Sequence, residues 1–451
     1  MENVRDPKCR RCDLYKEAQS VCLIGQGDYP CEVVLIGEAP GYREDSIGKP
    51  FSGKAGKKIL DPILEELGIK RSEIWITNAC RCKPPENRTP ERDKIKACQY
   101  FTNLELERVK PEKIVCLGLT AAKSILDKFN ISLKSIIGRC VEIEKPWGKV
   151  KVYFTYHPAK VLREPGLREY LKNHLKQFLL ESTKFPSTSL PWDYASFLND
   201  YKGELVIDIE TEKITEDNSE IDLLSMAASC KKGVGYWVDV ENSKQMRELI
   251  ELVKHKDSLV VGHNLKFDLK ELIKKDILDR SILKTDKFFD TLIAYNILDE
   301  NSPDKGLKTL ALTFTTMPQY DIPQDFTWEY IDEIRLYNCL DCDGNWRLKN
   351  YILNQFDKYP SLWIPFTIDM RCTAVLVDIE LRGVKVDIAA LNSMDKILTK
   401  KIKELAENIP VENPRSPKQV AKMLLGMGFH LPKTEKGNYK ADEPTLQALS
   451  D

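Results

Sequence analysis

The sequence predicts an α/β protein with two successive open-sheet domains and a helical C-terminal tail. Three observations carry that expectation. Short apolar runs that end in glycine- or proline-bearing turns alternate with helical stretches, the alternation restarts after a short proline-bearing segment, and from about Asn345 onward glycine thins out and helical spacing takes over. In the first part the runs are Glu32-Val-Val-Leu-Ile-Gly37, Ile74-Trp-Ile-Thr-Asn78, Lys113-Ile-Val-Cys-Leu-Gly118 and Lys151-Val-Tyr-Phe-Thr-Tyr156, with helices expected over Lys57–Leu67 and Glu91–Val109. Runs that are apolar throughout, rather than at alternate positions, read as parallel strands covered on both faces, hence a three-layer α/β/α domain. Glu38 then falls at the carboxyl end of a strand, where open α/β sheets place their chemistry.

The stretch Phe185-Pro-Ser-Thr-Ser-Leu-Pro191 is short and uncharged, and is read as a linker over 185–192. Strands are expected next at Leu205–Glu210, Leu223–Ser229, Gly233–Val240 and Leu259–Gly262, with a helix over Gln245–His255. The expected organisation is a first domain over 1–184, a second over 193–356 and a helical region over 357–451.

Composition narrows the function classes. No apolar run approaches the roughly 20 residues of a membrane span, and Met1-Glu-Asn-Val-Arg5 lacks a secretion-signal core, so a cytoplasmic protein is expected. The net charge of −1 hides an asymmetry: residues 1–184 carry 34 Lys+Arg against 25 Asp+Glu, and the remainder carries 34 against 44. A basic first domain suits a polyanion such as DNA. Thirteen cysteines, nine of them before residue 185, argue against an extracellular disulfide framework. Most of them, including Cys22, Cys31, Cys116, Cys140, Cys230, Cys339, Cys342 and Cys372, read as small buried apolar residues.

Four are different. Cys9 and Cys12 form C-x2-C, and after a gap of 69 residues Cys82 and Cys98 form C-x15-C around Lys83-Pro-Pro-Glu-Asn-Arg-Thr-Pro90. Such spacing reads as a clasp for a metal or an iron-sulfur cluster, and by spacing alone a closed four-thiolate site could equally hold Zn²⁺. Cys80 is a conceivable substitute ligand. The same region holds Gly37-Glu-Ala-Pro-Gly-Tyr-Arg-Glu-Asp45, Gly48-Lys-Pro-Phe-Ser-Gly53, Thr77-Asn78 and His157-Pro158. In this order the motifs resemble the iron-sulfur (family 4) uracil-DNA glycosylases over roughly residues 5–180. The resemblance implies a [4Fe-4S] cluster on Cys9, Cys12, Cys82 and Cys98, with Phe51 stacking on an extruded base. Asn78 would read the uracil edge and His157 would hold the departing anion. Glu38 and Glu44 would order water and favour the cationic sugar, Glu44 also walling off C5, and Arg88 would meet phosphate.

A second constellation follows. Asp208 and Glu210 lie two apart on an expected strand and project from one face. Asn264 and Asp268, like Tyr337 and Asp341, lie four apart and are expected to share a helix face. Four acids converging this way would hold two Mg²⁺ or Mn²⁺ ions. The ordered set, with Phe289-Asp-Thr291 between, resembles the 3′-5′ proofreading exonuclease of family A DNA polymerases, which implies a ribonuclease-H-like domain. In that family's arrangement Tyr337 positions the attacking water and Asn264 meets substrate.

After residue 365, Met370-Arg371, Glu380-Leu-Arg-Gly-Val-Lys-Val-Asp387, Asn413-Pro-Arg-Ser-Pro-Lys-Gln419 and Lys433–Tyr439 resemble the start of a family A polymerase body, in its thumb region. No palm motif follows, so polymerisation by this chain alone is not expected. The resemblance implies either a fragment or half of a split phage-type enzyme, which would work with a separate polymerase-body polypeptide in a bacterial host's cytoplasm. The function expected is uracil excision joined to two-metal 3′-5′ exonucleolysis. A first domain that only binds uracil or template DNA, or an iron-sulfur interaction platform, are the alternatives.

Overall fold

The computed structural model describes residues 5–180, 187–212, 221–302, 304–407, 409–411, 413–414, 416–433 and 439–449. Two compact units are present, Met1–Leu381 and Arg382–Asp451. The first contains two sheets.

The N-terminal sheet has strands β1 (Val33–Gly37), β2 (Trp75–Asn78), β3 (Lys113–Leu117), β4 (Cys140–Lys145) and β5 (Gly148–Thr155), in the order β2-β1-β3-β5-β4. The first four in that order are parallel, and β4 joins as an antiparallel edge. The continuous apolar character of β1, β2 and β3 has the expected cause: nearly every residue in them is buried. Helices Arg92–Val109 and Arg168–Leu179 pack through apolar stripes. The helix expected over Lys57–Leu67 is present as a π-helical turn, Gly56–Leu60, running into Asp61–Glu66.

The second sheet has β6 (Thr188–Pro191), β7 (Glu204–Thr211), β8 (Leu223–Lys231), β9 (Val234–Val238), β10 (Leu259–Gly262) and β11 (Phe288–Asp290), ordered β11-β10-β7-β8-β9-β6. Here the structure corrects one expectation. Within the stretch read as a linker, Thr188–Pro191 is an edge strand paired in parallel with β9, and Pro191 is tolerated because it closes an outer edge. Residues 181–186 lie outside the described residues. The 28-residue helix Ile331–Lys358 backs this sheet.

The two sheets are not beads on a string. Leu35, Phe51, Tyr170 and Leu175 of the first lobe belong to the same buried cluster as Val206, Tyr295 and Leu310 of the second. The helix Trp363–Arg382 buries Phe366 and Val377 within the first unit, which ends at Leu381. The second unit holds the helices Ile388–Glu407, Pro417–Gly426 and Glu443–Gln447. Lys433 and Tyr439 bridge antiparallel, and the motif residues between them, 434–438, lie outside the described residues. Among the described residues no helix is long and apolar enough to cross a membrane.

Candidate functional sites

Strands β2, β1, β3 and β5 end side by side, and their carboxyl ends carry the first site. Parallel register sets Gly37 directly opposite Asn78. A Cβ at position 37 would lie 2.5 Å from Asn78 Oδ1 and 2.5 Å from Phe51 Cζ, so glycine is required where these two side chains converge. Phe51 is buried with a left-handed backbone (φ 52°), and a Cβ on Gly56 would collide with its carbonyl oxygen. The Phe51 and His157 rings are 5.5 Å apart between centroids.

His157 caps the helix Pro158–Arg163, its Nδ1 accepting from the Ala159 N–H at 3.1 Å. Burial, with a smaller push from Arg163, lowers this imidazole to about 4, so it is neutral at pH 7. A neutral ring that accepts at Nδ1 carries its proton on Nε2, which makes it a fixed donor. Asn78 is buried at the end of β2. Glu38 follows β1 and takes a 2.5 Å hydrogen bond from Thr120 Oγ1 on Oε2. Glu44 is held differently: its oxygens accept from the backbone N–H groups of Gly41 and Gly53, clipping together the loop that carries Phe51. Arg88 lies exposed, paired with Glu86.

The four spaced cysteines gather nearby. Cys82 and Cys98 are buried, Cys9 and Cys12 half-buried, and Cys80 packs among them with Leu14 and Ile95. The Cys22 N–H donates to Cys82 Sγ at 3.4 Å. Hydrogen bonding to Cys98, then burial, raises the Cys12 thiol, and burial raises Cys82 to about 11, so thiolates here call for a cationic partner. Four cysteine sulfurs make a soft donor set that suits a metal ion or an iron-sulfur cluster.

The second site lies on β7 and the helix Ile331–Lys358. Asp208, Glu210 and Asp341 each place a carboxylate oxygen within 4.8 Å of the other two. Asp268 stands beside them, its Oδ1 accepting from the Ile209 N–H at 3.2 Å. Burial first, and then mutual repulsion, holds Asp208 and Glu210 above the ordinary carboxylate range; burial likewise raises Asp268 and Asp341. Such crowding is relieved by divalent cations, so these residues fit the metals their pattern implies. Tyr337 lies one turn before Asp341 on the same helix, its ring beside that of Tyr320 at 5.9 Å between centroids. Asn264 stands at the N-cap position rather than inside the helix that carries Asp268. It precedes the helix Leu265–Lys274 in a left-handed conformation and is exposed, because the Asp290 carboxylate caps the helix in its place through the Asn264 and Leu265 N–H groups.

Comparison with known proteins agrees with this geometry. Residues 24–181 match the uracil DNA glycosylase superfamily model, and residues 187–325 match a 3′-5′ exonuclease model. The chain is 41% identical over 173 residues to a type-4 uracil-DNA glycosylase of Archaeoglobus fulgidus, across 38% of this chain and 85% of that protein. The chain belongs to the type-4 uracil-DNA glycosylase family. A Pyrobaculum aerophilum member is 36% identical over 38% of this chain and 87% of its own. The DNA polymerase of Escherichia phage T5 is 25% identical over 267 residues, 51% of this chain but only 31% of that polymerase. This type-4 glycosylase chain is therefore an enzyme that acts on DNA and carries a 3′-5′ exonuclease domain after its glycosylase domain.

Several residues around both sites escaped the sequence reading. In the glycosylase lobe, buried Glu105 binds Arg81, the Thr77 hydroxyl (2.8 Å) and the Gly25 N–H (2.8 Å), tying the cysteine loop to the strand that bears Asn78. In the exonuclease lobe, Asn338 donates to Asp208 Oδ2 at 2.8 Å and the Tyr320 hydroxyl donates to Asp341. Lys308 Nζ lies 4.4 Å and 5.2 Å from the ring centroids of Tyr320 and Tyr337 and is buried without a hydrogen-bond partner. Asn338 sits one turn before Asp341, a spacing that could have flagged it; Tyr320 and Lys308 offered no such signal.

Proposed function

We propose that the glycosylase lobe hydrolyses the N-glycosidic bond of deoxyuridine in DNA and that the second lobe removes nucleotides from 3′ ends. The observation that carries the first half is the convergence of Asn78 and Phe51 on Gly37, with the His157 ring 5.5 Å from that of Phe51. An extruded uracil stacks on Phe51, while Asn78 donates to O4 and accepts from N3–H. Cytosine presents the reverse pattern and would strand both buried groups, so it is rejected. His157 donates from Nε2 to O2 and stabilises the charge that grows there as the bond to the sugar breaks. Glu38, with Oε2 engaged by Thr120, keeps its other oxygen free to order water at the sugar. Glu44 acts as the clip on the Phe51 loop. A [4Fe-4S] cluster on Cys9, Cys12, Cys82 and Cys98 would supply a covalent clasp between the N-terminus and the loop after β2.

In the second lobe Asp208, Glu210, Asp268 and Asp341 would hold two Mg²⁺ or Mn²⁺ ions, which when bound supply activation of water and stabilisation of the leaving 3′-oxygen. Asn338 and Tyr320 orient two of those carboxylates, and Tyr337 positions the nucleophile. Likeness to the phage polymerase supports reading residues from about 357 onward as the beginning of a polymerase body that works with further polypeptide.

The test is uracil release from single-stranded and duplex DNA by anaerobically purified protein, beside Asn78→Ala and His157→Ala, with Mg²⁺-dependent nucleotide release measured on the same preparation. Tight binding of uracil-DNA with no free uracil would replace the first half with a sensing role. Nucleotide release that persists in Asp208→Ala would remove the second.

A further inference from the structure

Residues 302 and 304–321 of the exonuclease lobe make one wall of the acidic site, and the glycosylase lobe holds the back of that wall. On the inner side lie Tyr320, hydrogen-bonded to Asp341, and Lys308, stacked over Tyr320 and Tyr337. On the outer side the glycosylase helix Arg168–Leu179 presents Tyr170, His174 and Gln177 at i, i+4 and i+7, a single helix face. The Tyr170 hydroxyl donates to the Asp304 carbonyl at 2.6 Å and lies 2.5 Å from Ser302 Oγ. His174 is 1% exposed and bridges Thr155 Oγ1 of β5 (2.9 Å) to Thr313 Oγ1 (3.0 Å). Gln177 Nε2 donates to the Thr313 and Thr315 carbonyls at 2.9 and 3.2 Å.

Buried polar groups with specific partners fix geometry more sharply than apolar contact does, since each is costly to strand. Thr313 and Thr315 lie at the end of the helix Leu307–Phe314, whose second residue is Lys308, and Tyr320 follows five residues after Thr315. The Tyr320 hydroxyl thus reaches Asp341 from a segment held on two sides, by Arg347 on the Thr316 carbonyl (2.8 Å) and His263 on the Lys305 carbonyl (3.0 Å) within the exonuclease lobe, and by Tyr170, His174 and Gln177 from the glycosylase lobe.

We propose that Tyr170, His174 and Gln177 of the glycosylase lobe are positioning residues for the exonuclease, holding this segment so that Tyr320 orients Asp341 and Lys308 faces Tyr337. This rests on the exonuclease reading above. It makes the first lobe part of the nuclease's working structure, apart from any chemistry on uracil. DNA contacts are untouched by the interface, so loosening it lowers kcat while KM for a single-stranded 3′ end holds.

The test uses the whole chain with Gln177→Ala and, independently, Tyr170→Phe, which keeps the ring and loses only the hydroxyl. In Gln177→Ala, Mg²⁺-dependent nucleotide release should fall about tenfold in kcat with KM within about twofold. Uracil release should be unchanged, and amide exchange over 304–321 should quicken. Combined with Tyr320→Phe, the loss should match the larger single effect rather than the product of the two. Faster exchange with unchanged kcat, unchanged exchange, or multiplicative losses in the double variant would each overturn the proposal. Asp208→Ala serves as the control: if it leaves nucleotide release intact, the exonuclease reading itself has failed, whereas its inactivity beside unaffected interface variants counts against the positioning role alone.

Discussion

Replacing Gly37 with alanine tests the base pocket with one methyl group. The added Cβ would sit 2.5 Å from Asn78 Oδ1, 2.5 Å from Phe51 Cζ and 2.7 Å from Phe51 Cε2. Comfortable contact between such atoms begins near 3.5 Å, so about 1 Å of overlap must be relieved on two sides at once. Neither side yields easily. Asn78 is fixed on β2 by its pairing with Gly37 itself, and Phe51 is buried on a left-handed backbone backed by Gly56. Overpacking of this kind costs about 1–3 kcal/mol of stability, which a lobe with this much buried core survives. Displacing the reading amide and the stacking ring by about 1 Å should lower single-turnover uracil release about a hundredfold, equivalent to about 2.7 kcal/mol of barrier. The assay is uracil released from a single-stranded oligonucleotide, with cluster absorbance and nucleotide release on the same sample reporting an intact fold. Gly37→Ala protein that releases uracil within about threefold of the parent rate would show that the base is not read between Asn78 and Phe51.

Three further outcomes follow from the electrostatics. Because His157 takes a proton only near pH 4 in the folded chain and near 6.5 when unfolded, uracil release should stay flat from pH 8 down to about 5. The stability this imidazole contributes above 6.5 should drain away as pH falls towards 4; an activity loss centred on 6.5 would contradict the neutral-donor role. Glu210 keeps its proton up to about 8 when no cation is bound, so the metal-free protein should lose stability as pH rises from about 4.5 to 8. Added Mg²⁺ should therefore raise the melting temperature more at pH 8 than at pH 6, and equal shifts at both would count against metal binding at this cluster. Glu105→Gln removes the carboxylate paired with buried Arg81, and breaking a buried pair of this kind costs about 3–5 kcal/mol. Its visible signature should be faster bleaching of the cluster in air while nucleotide release persists, and unchanged bleaching would separate the ion pair from the cysteine loop.

What could be read from the sequence was whatever is local or repeats with a strand's period. Buried parallel strands announce themselves as unbroken apolar runs, and their carboxyl ends then locate Glu38, Asn78 and His157 without any coordinates. Asp208 and Glu210 were legible for the same reason, being two apart on β7. What stayed hidden depends on partners far along the chain. Thr188–Pro191 looks like a linker because an edge strand gains its identity only from β9, more than 40 residues away. Glu105 sits mid-helix among charged neighbours and would pass for a solvated residue, yet it is fully buried on Arg81. Asn264 matched the helical spacing but lost its place to Asp290, whose carboxylate arrives from β11 to cap the helix.

Both pockets bring together side chains that an ordinary folded interior would keep apart or would pair, since polar groups taken out of water should find a partner there. Asn78 and Phe51 converge on Gly37 with room for no Cβ between them, the Lys308 ammonium is buried without a hydrogen bond, and the acids around Asp208 face one another. Local violations that survive in an otherwise consistent fold are where ligands belong, and here each violation specifies what it lacks. The first wants a planar group with a donor and an acceptor side by side. The second, ringed by carboxylates with a lysine above them, wants divalent cations and an anionic oxygen together, which is what a phosphodiester held between metals provides. The fold carries both deficits without loosening because its own polar groups are used elsewhere: Glu105 knits the cysteine loop to the base-reading strand, and Tyr170, His174 and Gln177 knit one lobe to the other.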